Sequence, residues 1–225
     1  MTETGDPGVG ATAGGWLELT AFQMEVARLF FALPESAGFL LAGGAALVAQ
    51  HLTTRPTEDL DFFTTPETGH VPAARDALEA ASRGRGWSTE RIHDSSTFCR
   101  LVIRDSDGAV IVDLAVNAPP DFPAYQTAAG PTLAPEELAG HKLLALFDRA
   151  AARDFADIYV LARRFGKATL LARAAQIDAG FDATVLADML ATLDRFTDDE
   201  IPLTGGSSVA ELRSFYSTWQ SELTA

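Results

Sequence analysis

The sequence of 225 residues has few of the features that mark secreted, membrane-bound or disulfide-stabilised proteins. Cys99 is the only cysteine, which excludes an internal disulfide and a cysteine-based metal cluster. The longest apolar run, residues 39–49, contains two glycines and is shorter than the roughly 20 residues of a membrane-spanning helix. No basic start with an apolar centre indicates a secretory signal near Met1. We therefore expect a globular, cytoplasmic protein.

Positive charge is also scarce, since 17 basic residues face 31 acidic ones and the net charge is -14. This excess argues against general affinity for nucleic acid or for an anionic membrane. Residues 138–173 are the exception, with seven basic and three acidic side chains. This segment could bind an RNA backbone locally, or it could be a solvated helical surface with internal ion pairs.

The pattern of apolar residues and turns predicts a mixed α/β part followed by a helical part. Strands are predicted at residues 39–42, 59–64, 87–92, 97–104 and 109–116, with helices at 22–33, 43–51, 71–81 and from 136 onward. The turn 105-DSDG-108 predicts a hairpin between the last two strands. We predict a flexible tail at 1–15, a core at 16–117, a proline-rich linker at 118–135 and a helical C-terminal domain at 136–225.

Two aspartates, Asp59 and Asp61, lie in the predicted strand 59–64 among leucine and phenylalanine. Side chains alternate between the faces of a strand, so both carboxylates share one face while Leu60 and Phe62 share the other. Like charges at this separation repel each other and lose water on packing. A divalent cation is the usual compensation.

A third aspartate, Asp113, interrupts the apolar strand 109-AVIVDLAV-116. If this strand lies beside that of Asp59 and Asp61, three carboxylates converge. Ligands that are all oxygen atoms favour Mg²⁺ or Mn²⁺ over zinc. We therefore predict a metal site formed by Asp59, Asp61 and Asp113.

Gly43 and Gly44 lie between a predicted strand and a predicted helix. A turn without side chains lets backbone N–H groups approach a phosphate. This pair, followed by a helix and then by Thr57-x-Asp59-x-Asp61, predicts a site for a phosphorylated ligand.

A purely structural interpretation stays open for the acidic residues. Asp59 could cap the start of its strand, and Asp61 could form a salt bridge with Arg55 or Arg100. His51 and His141 flank the motifs, but neither pairs with another histidine at ligand spacing. We interpret both histidines as packing or hydrogen-bonding residues.

The segments 43-GGAAL-47 and 55-RPTEDLDF-62 resemble motif I of the DNA polymerase β-like nucleotidyltransferases, in the form found in bacterial AbiEii-type and MenT-like toxins. Asp113 matches the third carboxylate of that fold, and 141-HKLLALFDR-149 and 153-RDFADIYVL-161 resemble the later motifs. The resemblance implies a polymerase β-like core with a small mixed sheet, followed by a helical C-terminal domain.

The same resemblance implies roles for three further residues. Thr57 stands where these proteins carry Ser or Thr near the incoming phosphates. Lys142, one of two lysines, would contact the triphosphate. Asp154 would be an additional functional carboxylate that orients Lys142 or the substrate. Asp157 lies near Asp154 on the helix and receives no definite role.

These residues together predict a metal-dependent nucleotidyltransferase that moves a nucleoside monophosphate from an NTP to an acceptor hydroxyl. Resemblance to MenT-like toxins implies that the acceptor is the tRNA 3′ end and that a cognate antitoxin restrains the enzyme. Two alternatives stay open. The acceptor could be a small molecule or a protein, or the chain could be a catalytically silent nucleotide-binding module.

Overall fold

Seven strands form one mixed sheet in the computed structural model, which describes residues 18–53, 55–203 and 206–224. The predicted tail at 1–15 lies outside the described residues. The strands are β1 (Leu40–Ala42), β2 (Asp59–Thr64), β3 (Ser88–Asp94), β4 (Phe98–Arg104), β5 (Ala109–Val116), β6 (Tyr125–Thr127) and β7 (Gly130–Thr132). Their order across the sheet is β3-β4-β5-β2-β1-β7-β6. Strand β2 is parallel to β5 and β1 is parallel to β7, while the other neighbours are antiparallel.

The alternation predicted for β2 is confirmed. Leu60 and Phe62 are fully buried in the core, while Asp59 and Asp61 lie half-buried on the other face. The predicted hairpin between β4 and β5 is also present, and the Asp105 carboxylate accepts hydrogen bonds from the N–H groups of Asp107 and Gly108. The sheet therefore follows the period-2 pattern of the sequence.

Eight α-helices are described, and the fold class predicted from the sequence is confirmed. They are α1 (Ala21–Phe31), α2 (Gly43–Ala49), α3 (Val71–Gly84), α4 (Pro135–Arg149), α5 (Ala152–Phe165), α6 (Lys167–Ile177), α7 (Ala183–Ala191) and α8 (Val209–Thr224). Helix α1 begins with a capping box in which Thr20 and Gln23 exchange side-chain and backbone hydrogen bonds. No described helix has the length and apolar character to span a bilayer.

One apolar cluster contains residues of both the sheet and the C-terminal helices. Phe30 and Phe62 stack in it with ring centroids 4.2 Å apart, and Tyr216 of α8 lies edge-on to Phe155 of α5. The buried Tyr216 hydroxyl donates a hydrogen bond of 2.7 Å to the Phe155 carbonyl. These contacts join α1 to β2 and α8 to α5. Residues of α4 and α5 form one wall of the site described below.

Residues 118–135, which we expected to be a linker, contain β6 and β7 and extend the sheet. Strand β7 pairs with β1 at Leu41 and Thr132, and the Leu133 N–H donates to the Leu41 carbonyl. Proline indicated a linker, but short strands near a sheet edge tolerate proline because some of their N–H groups need no partner there. The boundaries of the core and the helical domain at residues 117 and 136 stay a prediction.

Gly130 gives a test of whether this segment belongs to the folded sheet. Its φ is +128°, and a Cβ atom there would lie 2.2 Å from the Phe31 ring. We expect Gly130→Ala to lower the free energy of unfolding by about 2–4 kcal/mol, because strain and overpacking add. Chemical denaturation would measure the loss. Gly108→Ala is the matched control, since nothing lies within 4 Å of a Cβ there. Equal stability of the two variants would contradict the prediction.

Candidate active site

Three aspartates come together on one face of the sheet. Asp61 of β2 is in register with Asp113 of the parallel strand β5, and residues in register point to the same face. Asp59 lies on this face two residues before Asp61. All three line one cavity of about 510 Å³. The predicted convergence of these carboxylates is therefore present in the structure.

Burial and two neighbouring negative charges act on the Asp61 carboxylate. The pKa of Asp61 is raised from 3.8 to about 7. Burial is the largest cause, and the charges of Asp59 and Asp113 add to it. Lys142 and Arg153 act in the opposite direction and do not cancel the rise. Within the described ranges, no hydrogen bond or ion pair stabilises the Asp61 anion. Asp61 is thus a half-buried acid whose charge has no direct partner among the described residues.

Asp113 differs from Asp61 because an arginine neutralises it. Arg100 of β4 donates from Nε to one carboxylate oxygen at 2.8 Å and from Nη2 to the other at 2.6 Å. The two residues face each other in the β4–β5 register. We had considered Arg100 and Arg55 as partners of Asp61, but they pair with Asp113 and Asp157.

The fit of the carboxylates to a divalent cation is therefore uneven. Neither oxygen of Asp61 forms a hydrogen bond or ion pair with a described residue, and Asp59 uses one oxygen to accept a 2.7 Å hydrogen bond from the Thr57 hydroxyl. Both oxygens of Asp113 are taken up by Arg100. Among the residues that the structure describes, no group of three or more acidic, histidine or cysteine side chains is arranged to hold a metal ion. The donor set of Asp59 and Asp61 suits Mg²⁺ or Mn²⁺, and Asp113 could join it only after leaving Arg100.

The glycine pair holds β2 close to the start of α2. Gly43 has φ +59°, and a Cβ there would lie 1.7 Å from an oxygen of Asp61. A Cβ on Gly44 would lie 2.4 Å from the Thr57 hydroxyl oxygen. Both glycines line the cavity, and they are needed because any side chain would displace Asp61 or Thr57.

A fourth carboxylate, Asp157 of α5, organises the cationic wall of the cavity. It is fully buried and accepts hydrogen bonds from the Thr53 hydroxyl at 2.9 Å and from two Arg55 nitrogens at 2.9 and 2.7 Å. The Lys142 ammonium lies 3.0 Å from Oδ2, the oxygen that also accepts from Arg55 Nη2. Burial alone would raise the pKa of Asp157, but the charges of Lys142 and Arg55 outweigh burial and lower it. Asp157 therefore fixes both cations at the cavity.

Asp154 does not contact Lys142, although we expected it to orient that lysine or the substrate. Its two oxygens accept hydrogen bonds from Nε and Nη2 of Arg149 at 2.8 and 2.9 Å. Arg149 lines the cavity, while Asp154 is fully buried behind it. The carboxylate next to Lys142 is instead Asp157, three residues further along α5. A functional role for Asp154 stays a prediction, in which Asp154 would act by holding Arg149 at the cavity.

The cavity separates the two signs of charge by structural element. Acidic residues come mainly from the sheet and cations mainly from α4, α5 and the loop before β2. The charged lining residues are Asp59, Asp61, Asp113, Asp148, Asp178, Arg55, Arg100, Lys142, Arg149 and Arg153. Such an arrangement can bind a polyanion while presenting carboxylates to a cation at the same place.

Sequence reasoning missed the roles of Arg55, Arg149 and Asp157. Arg55 and Asp157 are separated by 102 positions, so no local pattern could pair them. The Arg100–Asp113 pair could have been found, because counting back from the 105-DSDG-108 turn places these residues opposite each other. The hairpin register was the signal that we did not use.

Comparison with known proteins identifies the family of this chain. The family model for the nucleotidyl transferase AbiEii toxin of a type IV toxin–antitoxin system matches residues 27–208, which is well over half of the chain. The chain belongs to the AbiEii nucleotidyltransferase toxin family. Its enzymatic class is therefore nucleotidyltransferase, as the sequence predicted. A search of curated protein sequences finds no match.

Two solved structures have a fold similar to that of this chain. The crystal structure of JHP933 from Helicobacter pylori aligns with a TM-score of 0.58 and 16% identity, over 92% of this chain and 93% of that one. MenT4, a nucleotidyltransferase toxin from Mycobacterium tuberculosis H37Rv, aligns with a TM-score of 0.51 and 14% identity, over 90% and 82% of the two chains. At these identities the likeness concerns the fold alone.

We expect the unpaired charge of Asp61 to lower the free energy of unfolding as pH rises, when divalent cations are absent. The folded protein keeps the Asp61 proton up to about pH 7, whereas the unfolded chain loses it near 3.8. The folded state therefore binds more protons between these values, and stability decreases as pH rises through this window. Asp61→Asn should raise the free energy of unfolding at pH 8 by about 1–3 kcal/mol and give no gain below pH 4.

Denaturant unfolding in a chelating buffer at several pH values would measure this effect. Asp107→Asn, in the exposed hairpin turn, is the matched control for loss of one negative charge. A wild-type protein that is equally or more stable than Asp61→Asn at pH 8 would show that the Asp61 charge is compensated.

A second prediction concerns Asp157. Asp157→Asn leaves Arg55 and Lys142 buried without their counter-ion and should lower the free energy of unfolding at pH 7 by about 3–5 kcal/mol. Because the pKa of Asp157 is lowered in the folded state, its contribution is complete above the unfolded pKa and is lost as pH falls through the folded value. Wild type and variant should therefore converge in stability in acid.

Thr53→Val provides the comparison, because it removes one hydroxyl that binds Asp157 and keeps both ion pairs. We expect it to cost about 1 kcal/mol by the same denaturation assay. If Asp157→Asn costs no more than Thr53→Val, the ion pairs do not stabilise the site.

Proposed function

We propose that this AbiEii-family enzyme uses Mg²⁺ or Mn²⁺ to transfer a nucleoside monophosphate from an NTP to the 3′ end of tRNA. The observation that carries this proposal is the single cavity in which Asp59, Asp61 and Asp113 face cations fixed by buried carboxylates. A triphosphate needs the cations, and the transferred phosphate needs carboxylates that can hold metal. Both requirements meet within about 510 Å³.

The cations of the wall would bind the triphosphate. Lys142 and Arg55 are held by Asp157, and Arg149 is held by Asp154, so their charges are oriented before a ligand arrives. Groups fixed in advance lose little conformational freedom on binding. Gly43 and Gly44, which line the cavity, would form the turn against which the phosphates lie, with Thr57 packed against Gly44.

Asp59 and Asp61, joined by Asp113 once Arg100 has released it, are the residues that would hold the metal. When bound there, Mg²⁺ or Mn²⁺ supplies charge neutralisation at the transferred phosphate. The acceptor hydroxyl loses its proton to a carboxylate of this group as its oxygen bonds to the α-phosphorus. The bond from the α-phosphorus to the bridging oxygen breaks, and pyrophosphate leaves beside Lys142 and Arg55.

The choice of tRNA rests on the resemblance to MenT-like toxins and on the surface of α5. Arg153, Arg163 and Arg164 are exposed along this helix, and Arg153 also lines the cavity. Exposed arginines next to an active cavity can bind the phosphates of a nucleic acid end. Membership of a toxin–antitoxin family implies an antitoxin partner, and we propose that a cognate antitoxin restrains this enzyme.

Label transfer from each α-labelled NTP to total tRNA in the presence of Mg²⁺ would test the proposal. We expect labelled tRNA with wild type and a loss of about 100-fold or more with Asp59→Ala or Asp61→Ala. Chelation should stop transfer and added Mg²⁺ should restore it. Asp107→Asn is the matched control, because its exposed carboxylate lies outside the cavity.

Three results would count against parts of the proposal. Label on small molecules or protein instead of tRNA would exclude the proposed acceptor. Transfer that survives chelation would exclude the metal. Unchanged transfer by Asp59→Ala and Asp61→Ala would exclude the carboxylate site.

A further inference from the structure

A second cavity of about 530 Å³ lies beside the first. The two share their boundary residues, which are Phe63, Asn117, Ala118, Leu133 and His141. The second cavity lies at the end of β2 and β5, beyond the carboxylates. A ligand in the carboxylate cavity would therefore have to pass only the five shared side chains to reach the second cavity.

The chemistry of the second cavity differs from that of the first. Glu67 is the one acidic or basic side chain among the residues that line it, and no lysine or arginine does so. Burial lowers the pKa of His141, so the imidazole is neutral near pH 7. The rest of the lining consists of aromatic, aliphatic, proline, glycine and threonine residues and Asn117. Such a cavity suits a neutral ring and offers no lysine or arginine to neutralise a phosphate.

Two rings and an amide stand at the entrance. Phe63 and His141 have ring centroids 6.3 Å apart at an angle of 71°. The side-chain oxygen Oδ1 of Asn117 accepts a hydrogen bond from the Ala118 N–H, which leaves the N–H donors of the side-chain amide for a ligand. Aromatic faces and an amide donor are the groups with which proteins bind a base by stacking and hydrogen bonding.

The order of these groups along β2 matches the order of groups in one nucleotide. Thr57 and Gly44 touch at the start, Asp59 and Asp61 follow, and Phe63 comes two residues after Asp61 on the same face. Two residues of a strand span about 7 Å. A nucleotide whose phosphates lie at Gly44 and Asp61 would therefore have its ring beyond Asp61, at Phe63.

We propose that the second cavity receives the nucleobase of the incoming NTP, with Phe63 as the stacking residue and Asn117 as a residue that selects the base. This inference rests on the proposed function, because it assumes that the triphosphate occupies the carboxylate cavity. It adds the site that would decide which nucleotide is transferred.

Binding of ligands with and without a base tests the inference separately from transfer. Titration calorimetry in Mg²⁺ would compare inorganic tripolyphosphate with non-hydrolysable α,β-methylene analogues of the four NTPs. Phe63→Leu keeps apolar bulk and removes the ring, whereas Phe63→Tyr keeps the ring. We expect Phe63→Leu to weaken analogue binding about tenfold, with Phe63→Tyr and tripolyphosphate binding changed less than about threefold. Asn117→Ala should change the ranking of the four analogues.

Tyr125→Ala is the control, because this exposed aromatic side chain lies in β6 and lines neither cavity. The inference is overturned if Phe63→Leu leaves analogue binding unchanged, or if it weakens tripolyphosphate binding equally. If Phe63→Leu leaves analogue binding unchanged but raises the KM for tRNA, the second cavity binds the acceptor. That result would also overturn the inference. Base-dependent binding without transfer by the wild type would instead reject the proposed function and keep the nucleobase site.

Discussion

The buried carboxylate of Asp157 is the contact on which the site depends, because it joins three separate segments of the chain. Thr53 and Arg55 reach it from the loop before β2, Lys142 reaches it from α4, and Asp157 itself belongs to α5. A buried pair of this kind is costly to break, since removal of one partner leaves an uncompensated charge. The same contacts that hold the helices against the sheet therefore also place two cations opposite the sheet carboxylates.

The division of charge between sheet and helices explains how an acidic protein can bind a triphosphate. The net charge of -14 repels polyanions at long range, but the cations that line the cavity are concentrated on one wall. Arg100 complements them from the sheet side by neutralising Asp113. Solvent weakens distant repulsion more than it weakens contacts in a partly closed cavity, so local cations can outweigh the overall charge.

Local pattern in the sequence predicted those parts of the fold and site that neighbouring residues determine. Alternation in β2 predicted that Asp59 and Asp61 share a face, and the Asp-Gly turn predicted the β4–β5 hairpin. The linker prediction for residues 118–135 did not anticipate β6 and β7, because proline is common both in linkers and in strands near a sheet edge. The pairing of β7 with β1 joins residues far apart in the sequence, so no local pattern indicates it. Asp154 and Asp157 could not be distinguished, since their partners depend on how α5 turns against α4 and the loop before β2.

The contact between Gly43 and Asp61 means that the side-chain sizes allowed at these two positions depend on each other, although the positions are 18 residues apart in the sequence. A methyl group at 43 and a carboxylate at 61 would claim the same space, with 1.7 Å between Cβ and oxygen. A larger residue at 43 would therefore push the Asp61 carboxylate out of its present place, unless a shorter residue such as serine or alanine stood at 61. The residue at either position thus limits the size of the residue that the other position accepts.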